Sequence, residues 1–173
     1  MLSLLNNWRR ALLCAASVLA VGCGSGMDPQ TAQHRDRLLL SEEPSGAVTI
    51  EDARGAIEST SRVVLMGRVG AKDFPEWWIE GTASFVISEA MPDSHYNAGP
   101  DHDPSTCPFC RRNWKFEDSM AIVHLVDDSG QRIPVEITDL LDIDEGDIVV
   151  VQGDASLDET GLLVLDSNGL YIN

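Results

Sequence analysis

The spacing of apolar residues changes character near Arg62. Before it, "TIEDARGAIEST" brings Ile50, Ala53 and Ile57 onto one helical face, with Thr49 as N-cap and Glu51 and Asp52 in the first turn. This predicts a short helix within 49–61, weakened by Gly55. From Arg62 onward the chain reads as strands. "RVVLMGRVG" is rich in apolar and β-branched residues, and its Gly67 predicts a bend or bulge. "TASFVISEA" is a second strand-like run, and "SMAIVHLVDDSGQRIPVEIT" reads as two strands around Asp127-Asp128-Ser129-Gly130. "DLLDIDEGD" predicts a short helix or turn. "DIVVVQGDASLDETGLLVLDSNGLYIN" predicts two last strands joined by a polar turn at Asp158 to Gly161. Short strands punctuated by turn signals, with no long repeat, point to an all-β domain, a small barrel or sandwich.

Residues 24–48 are polar, apart from Leu38, Leu39 and Leu40, and the stretch 23–48 is expected to be a flexible tether. The tripled leucine either packs on the domain or forms a nascent helix.

Gly146-Asp147 before one strand and Gly153 within it, followed by "GLLVLDSNGLYI", resemble the fourth and fifth strands of the OB-fold. That resemblance implies a five-stranded OB-like Greek-key barrel over 62–173. Residues 62–70 would be its first strand, the 120–138 hairpin its second and third, and "DLLDIDEG" the helix before the fourth. In this layout 71–118 is a long loop inserted between strands 1 and 2. Loops of that length in a compact domain are functional or disordered.

The first residues, "MLSLLNNWRRALLCAASVLAVGCGSG", have the layout of an export signal: Arg9 and Arg10, an apolar run from Ala11 to Val21, then small residues. The run is shorter than the roughly 20 residues of a spanning helix. The closing "AVGC" resembles the lipobox of bacterial lipoproteins, with Ala20 where a larger aliphatic is usual. The resemblance implies removal of residues 1–22, lipidation of Cys23, and a cell-envelope location facing the periplasm or the exterior. The alternative is an ordinary cleaved signal and a free secreted protein. The chain is also similar to uncharacterised lipid-anchored proteins of planctomycete-type bacteria that join such a barrel to a His-rich CPFC loop, a likeness that implies no activity.

Removing residues 1–22 takes away two arginines and no acid, leaving 10 basic and 28 acidic side chains, a net charge of −18. Such a surface repels phosphate backbones, so no nucleic-acid partner is expected. It suits solubility or a cationic envelope partner.

After processing, the remaining cysteines are Cys107 and Cys110, in "GPDHDPSTCPFCRRNW". A CxxC turn brings two sulfurs within reach of one Zn²⁺ or, in an envelope compartment, copper. A tetrahedral site needs two further ligands. His102 lies five residues before Cys107 and His95 seven before His102, which makes them the third and fourth candidates. Asp101 and Asp103 flank His102 as outer partners or replacement ligands. A local Cys107–Cys110 disulfide is the second reading, permitted by export but closing too small a loop to stabilise much. Redox exchange is the third, although the stretch lacks the βαβ setting of CPxC enzymes. Arg111 stands where a c-type heme motif requires histidine.

His124 alternates with Ile122 and Val126, as a satisfied rim or core histidine would, or as one further ligand. His34 falls in the expected tether. Trp77 and Trp78 read as a packing lid before a ligand platform. Asp139, Asp142, Asp144, Glu145 and Asp147 lack calcium-loop spacing and read as a solvated face. No paired-carboxylate site, nucleophile motif or glycine-rich phosphate loop is present to support an enzyme. The expectation is a non-enzymatic, membrane-anchored protein with a metal-binding loop. The alternative is an interaction module whose loop is pinned by a disulfide.

Overall fold

In the computed structural model residues 27–71, 76–89 and 119–173 are described. Five strands supply most of the regular secondary structure: β1 (Arg62–Val69), β2 (Ser84–Glu89), β3 (Met120–Leu125), β4 (Ile148–Leu157) and β5 (Leu163–Ile172). They form one sheet in the order β1-β2-β3-β5-β4, and β4 closes the ring by pairing back onto β1. β3 and β5 run parallel; the other neighbours are antiparallel.

The ring is not a regular barrel, because β1 meets its two neighbours unequally. It pairs with β4 from Arg62 to Arg68 but reaches β2 only from Gly67 to Val69. Gly67 marks the crossing: a β-carbon there would lie 2.8 Å from Cδ1 of Ile87 and 3.1 Å from the Ser88 carbonyl oxygen. Where β1 and β2 part, each takes a short substitute neighbour. Val48 bridges Leu65, donating to the Val64 carbonyl (2.9 Å) and accepting from the Met66 amide (3.2 Å). Trp78 bridges Phe85, with Val86 N–H donating to the Trp77 carbonyl at 2.7 Å.

Alternation along the strands sends Leu65, Phe85, Ile87, Val123, Leu125, Val151 and Leu165 into one core. Ile137, Leu140, Leu141 and Ile143 join that core from the β3–β4 connection, which contains helix α3 (Ile137–Leu140). The hairpin expected over 120–138 is therefore corrected. After β3 the chain turns at Asp127, touches back only through the Val126–Arg132 bridge, and becomes helical. Pro134 cannot donate to a ladder, and Ile137 and Leu140, three apart, are both buried when the backbone coils.

The second strand is Ser84–Glu89, from "TASFVISEA". It lies between β1 and β3, and its Ser84 to Ile87 are all buried. The long insertion is thus corrected from strands 1 and 2, residues 71–118, to strands 2 and 3. Residues 90–118 lie outside the described ones.

Part of the expected tether is also structured. Helix α1 (Pro29–Leu38) begins with Pro29 at N1, and the Asp28 side chain accepts from the Gln30 and Thr31 amides at 2.9 and 3.2 Å. It ends with Leu38 fully buried in the core of the closed sheet, and the Leu40 amide donates to the Leu170 carbonyl at 2.8 Å. Leucine burial fixes the segment that polarity alone suggested was free. Helix α2 (Ile50–Ala56) follows the pattern expected of it: Thr49 caps the Asp52 amide at 3.0 Å, and Ile50 and Ala53 face the core.

Candidate functional site

The residues with the strongest chemical signal, Cys107, Cys110, His102 and His95, fall within 90–118, outside the described residues, as does Cys23. The foundation of that stretch is described. β2 and β3 pair from Ser84↔His124 to Ser88↔Met120, so the chain leaves after Glu89 and returns at Ser119 on neighbouring strands. Beside these roots Ala71, Val86 and Met120 form a small buried cluster with Leu162 against it. The β4–β5 turn lies near, and Arg54 of α2 donates to its Gly161 carbonyl.

Glu89 is the functional-looking group that sequence reasoning missed. Its Oε1 accepts from the Glu51 amide at 2.9 Å, so it caps α2 from another element. Its Oε2 is buried with no hydrogen-bond partner. Burial pushes this carboxyl above its ordinary range, and the charges of Glu51 and Asp52 push the same way, while backbone amides oppose them. Nothing in "FVISEA" marks the residue, because a tertiary helix cap has no local spacing.

At the opposite end of the β2–β3 pair, Ser84, His124 and Asp166 stand in one register row across β2, β3 and β5. These residue types suggest nucleophilic catalysis, but the geometry does not provide it. Ser84 Oγ bonds His124 Nδ1 at 2.7 Å, Ser84 is completely buried and His124 is 5% exposed. A catalytic relay presents an accessible hydroxyl at one ring nitrogen and a carboxylate at the other. Here no substrate can approach the hydroxyl, and Asp166 lies exposed at the surface. Burial lowers the His124 pKa, and Arg132 lowers it further against the attraction of Asp166. His124 is a neutral, satisfied cross-strand lock, as its alternation with Ile122 suggested. Its serine partner follows from strand register and is not visible in sequence.

Trp77 is buried in the core and stacks edge-on with Trp78 at 5.5 Å between ring centroids, which is packing. In the acidic run Asp147 Oδ2 accepts the Asp144 amide at 2.9 Å, tightening the turn before β4. Among the described residues no group of three His, Cys, Asp or Glu is arranged to hold a metal ion, and no helix is long and apolar enough to cross a membrane. Two open clefts flank α1. One, of about 460 Å³, is lined by His34, Arg37, Asp127 and Asp128, and there Arg37 already pairs with Asp128. The other, of about 510 Å³, is lined by Asp28, Thr31, Glu136 and Asp139. Both are open to solvent, without convergent buried groups of the kind a small-molecule site uses.

No family model matches this chain, and no curated protein matches it.

Proposed function

We propose that the chain is a lipid-anchored protein of the bacterial cell envelope whose OB-like barrel carries a soft-metal segment between β2 and β3. The ring order β1-β2-β3-β5-β4, with a helix between β3 and β4, supports the OB-like reading. The charged start, apolar run and "AVGC" support export and lipidation at Cys23. The observation that carries the metal reading is "DHDPSTCPFC". Two cysteines and a nearby histidine are soft donors gathered in an otherwise hard, acidic chain. Cys107 and Cys110 are the thiolate ligands, His102 the third and His95 the fourth, with Zn²⁺ the preferred ion and copper the alternative. The role is non-enzymatic. The closed sheet is scaffold, and the acidity keeps nucleic acid away.

The test is metal analysis with thiol counting on the same reduced sample, beside mass spectrometry of protein from the membrane fraction. About one Zn²⁺ per chain with two sulfur neighbours in X-ray absorption is expected. Cys107→Ser and Cys110→Ser each abolish tight binding, and His102→Ala weakens it. Binding declines as pH falls, because both thiols must be deprotonated. Envelope protein that carries no metal and has both thiols paired would replace this reading with the disulfide-pinned interaction module. A soluble protein without an acylated N-terminus would remove the anchor.

A further inference from the structure

Seven residues make a marginal helix, and α2 holds its place through tertiary contacts. Ile50 and Ala53 bury themselves in the core beside the place where β1 and β2 part. The first amides of any helix lack partners within it. In α2 the Asp52 amide goes to Thr49, and the Glu51 amide goes to Glu89. Glu89 therefore joins the helix start to the end of β2, where the chain enters 90–118.

We propose that Glu89 is a proton-dependent latch that seats α2 on the barrel, tighter when the carboxyl is neutral and looser when it is charged. A neutral carboxyl still offers its carbonyl oxygen to the Glu51 amide. A charged one places a third negative group beside Glu51 and Asp52 and leaves a buried carboxylate oxygen, Oε2, without a donor. The surroundings on the β1 side do not compensate. The register partner of Glu89 is Gly67, and the neighbouring Arg68 donates to the Gly146 carbonyl at 2.8 Å. Within α2, Arg54 is directed to the Gly161 carbonyl. The charges of Glu51 and Asp52 both act against the carboxylate. The upward displacement of its pKa agrees with the geometry.

Amide hydrogen exchange on the full chain tests this, following Ala53, whose N–H bonds the Thr49 carbonyl, against amides of the β4–β5 pair. After correction for intrinsic exchange, protection at Ala53 is expected to fall on the order of tenfold from about pH 5 to pH 8, with β4–β5 amides unchanged. Glu89→Gln keeps an acceptor and removes the charge. It is expected to hold Ala53 at the high-protection level across the range. The double variant Glu51→Gln/Asp52→Asn is expected to move the midpoint of the wild-type change to lower pH. A second readout uses the wild-type protein alone: the ¹³C carboxyl shift of Glu89 is expected to titrate above the ordinary glutamate value of 4.5. The latch is overturned if the carboxyl titrates at or below that value. It is equally overturned if Glu89→Gln lowers Ala53 protection at every pH, because the charged cap would then be what holds the helix.

Discussion

Gly153 of β4 lies against the backbone of Ser167 on β5: a β-carbon at 153 would sit 2.8 Å from the Ser167 Cα and closer still to the Asp166 carbonyl oxygen. The contact falls where the β4–β5 register slips, with Gln152 facing Gly169 and Gly153 facing Ser167, so that Asn168 is the extra residue. The bulge and the glycine are one device. The bulged strand bends inward, and only a residue without a side chain leaves room for it. Backbone obstructs the site, and backbone cannot rotate away. Gly153→Ala is therefore expected to cost about 3 kcal/mol, measured as a lowered urea midpoint. Asn168→Ala, at the exposed bulge, is expected to cost far less. Equal effects from the two would refute the argument.

Burial of His124 makes stability depend on pH. The His124 pKa is lowered in the folded chain, against an ordinary value of 6.5 when unfolded. The folded state then binds fewer protons than the unfolded one as the pH drops below 6.5. The contribution is intact above that value and is lost as pH falls through the lower folded pKa. Unfolding midpoints between pH 7.5 and 5.5 should decline in the wild type and decline less in His124→Phe. At pH 7.5 Ser84→Ala leaves a buried ring nitrogen without its partner, at a cost of about 1–3 kcal/mol.

Leu38 contributes to the core from a helix distant in sequence. Leu38→Ala is expected to destabilise by about 2–5 kcal/mol, read by thermal or urea unfolding. A chain starting at Thr49 is expected to be less stable than one starting at Met27, because it lacks Leu38, the Leu40–Leu170 bond and the Val48–Leu65 bridge. Matching midpoints for those two chains would show that α1 merely rests on a self-sufficient barrel.

Two turns share one construction. In "DDSGQ" and "DETGL", Asp127 and Asp158 each accept with Oδ1 from the amides two and four residues on and from the intervening Ser129 or Thr160 hydroxyl. Each turn then has a glycine at positive φ, Gly130 at 77° and Gly161 at 84°. These bonds lower both carboxyl pKa values below the ordinary 3.8, so the contribution present above that pH is lost as the solution becomes more acid. Asp127→Ala and Asp158→Ala are each expected to lower the Tm at neutral pH. The Asn variants should retain most of it, since an amide oxygen accepts the same bonds. Calorimetry on the four variants checks both statements.

How much was legible in the sequence depended on whether the information is local. The period-2 runs determined β1, β4 and β5, the i, i+3 spacing with Thr49 determined α2, and Asp-x-Ser/Thr-Gly determined both tight turns. In each, the residues that decide the structure touch one another within a few positions. The chemistry of "DHDPSTCPFC" is likewise carried by residue type and spacing, and it remains a reading of sequence.

Tertiary structure decided what distant segments do to each other. Polar residues 29–37 look free until Leu38 finds the core, so the tether reading missed α1. "RIPVEIT" has enough β-branched residues for a strand, yet the ring already has five, and Ile137 and Leu140 reach the core only by coiling. The same closure gave "TASFVISEA" the place beside β1 and moved the insertion to 90–118. Ser84 meets His124, and Glu89 meets α2, only once register and ring closure are set. Burial and hydrogen bonding across strands depend on which neighbour arrives, and a period along one strand says which face is apolar but not what will face it.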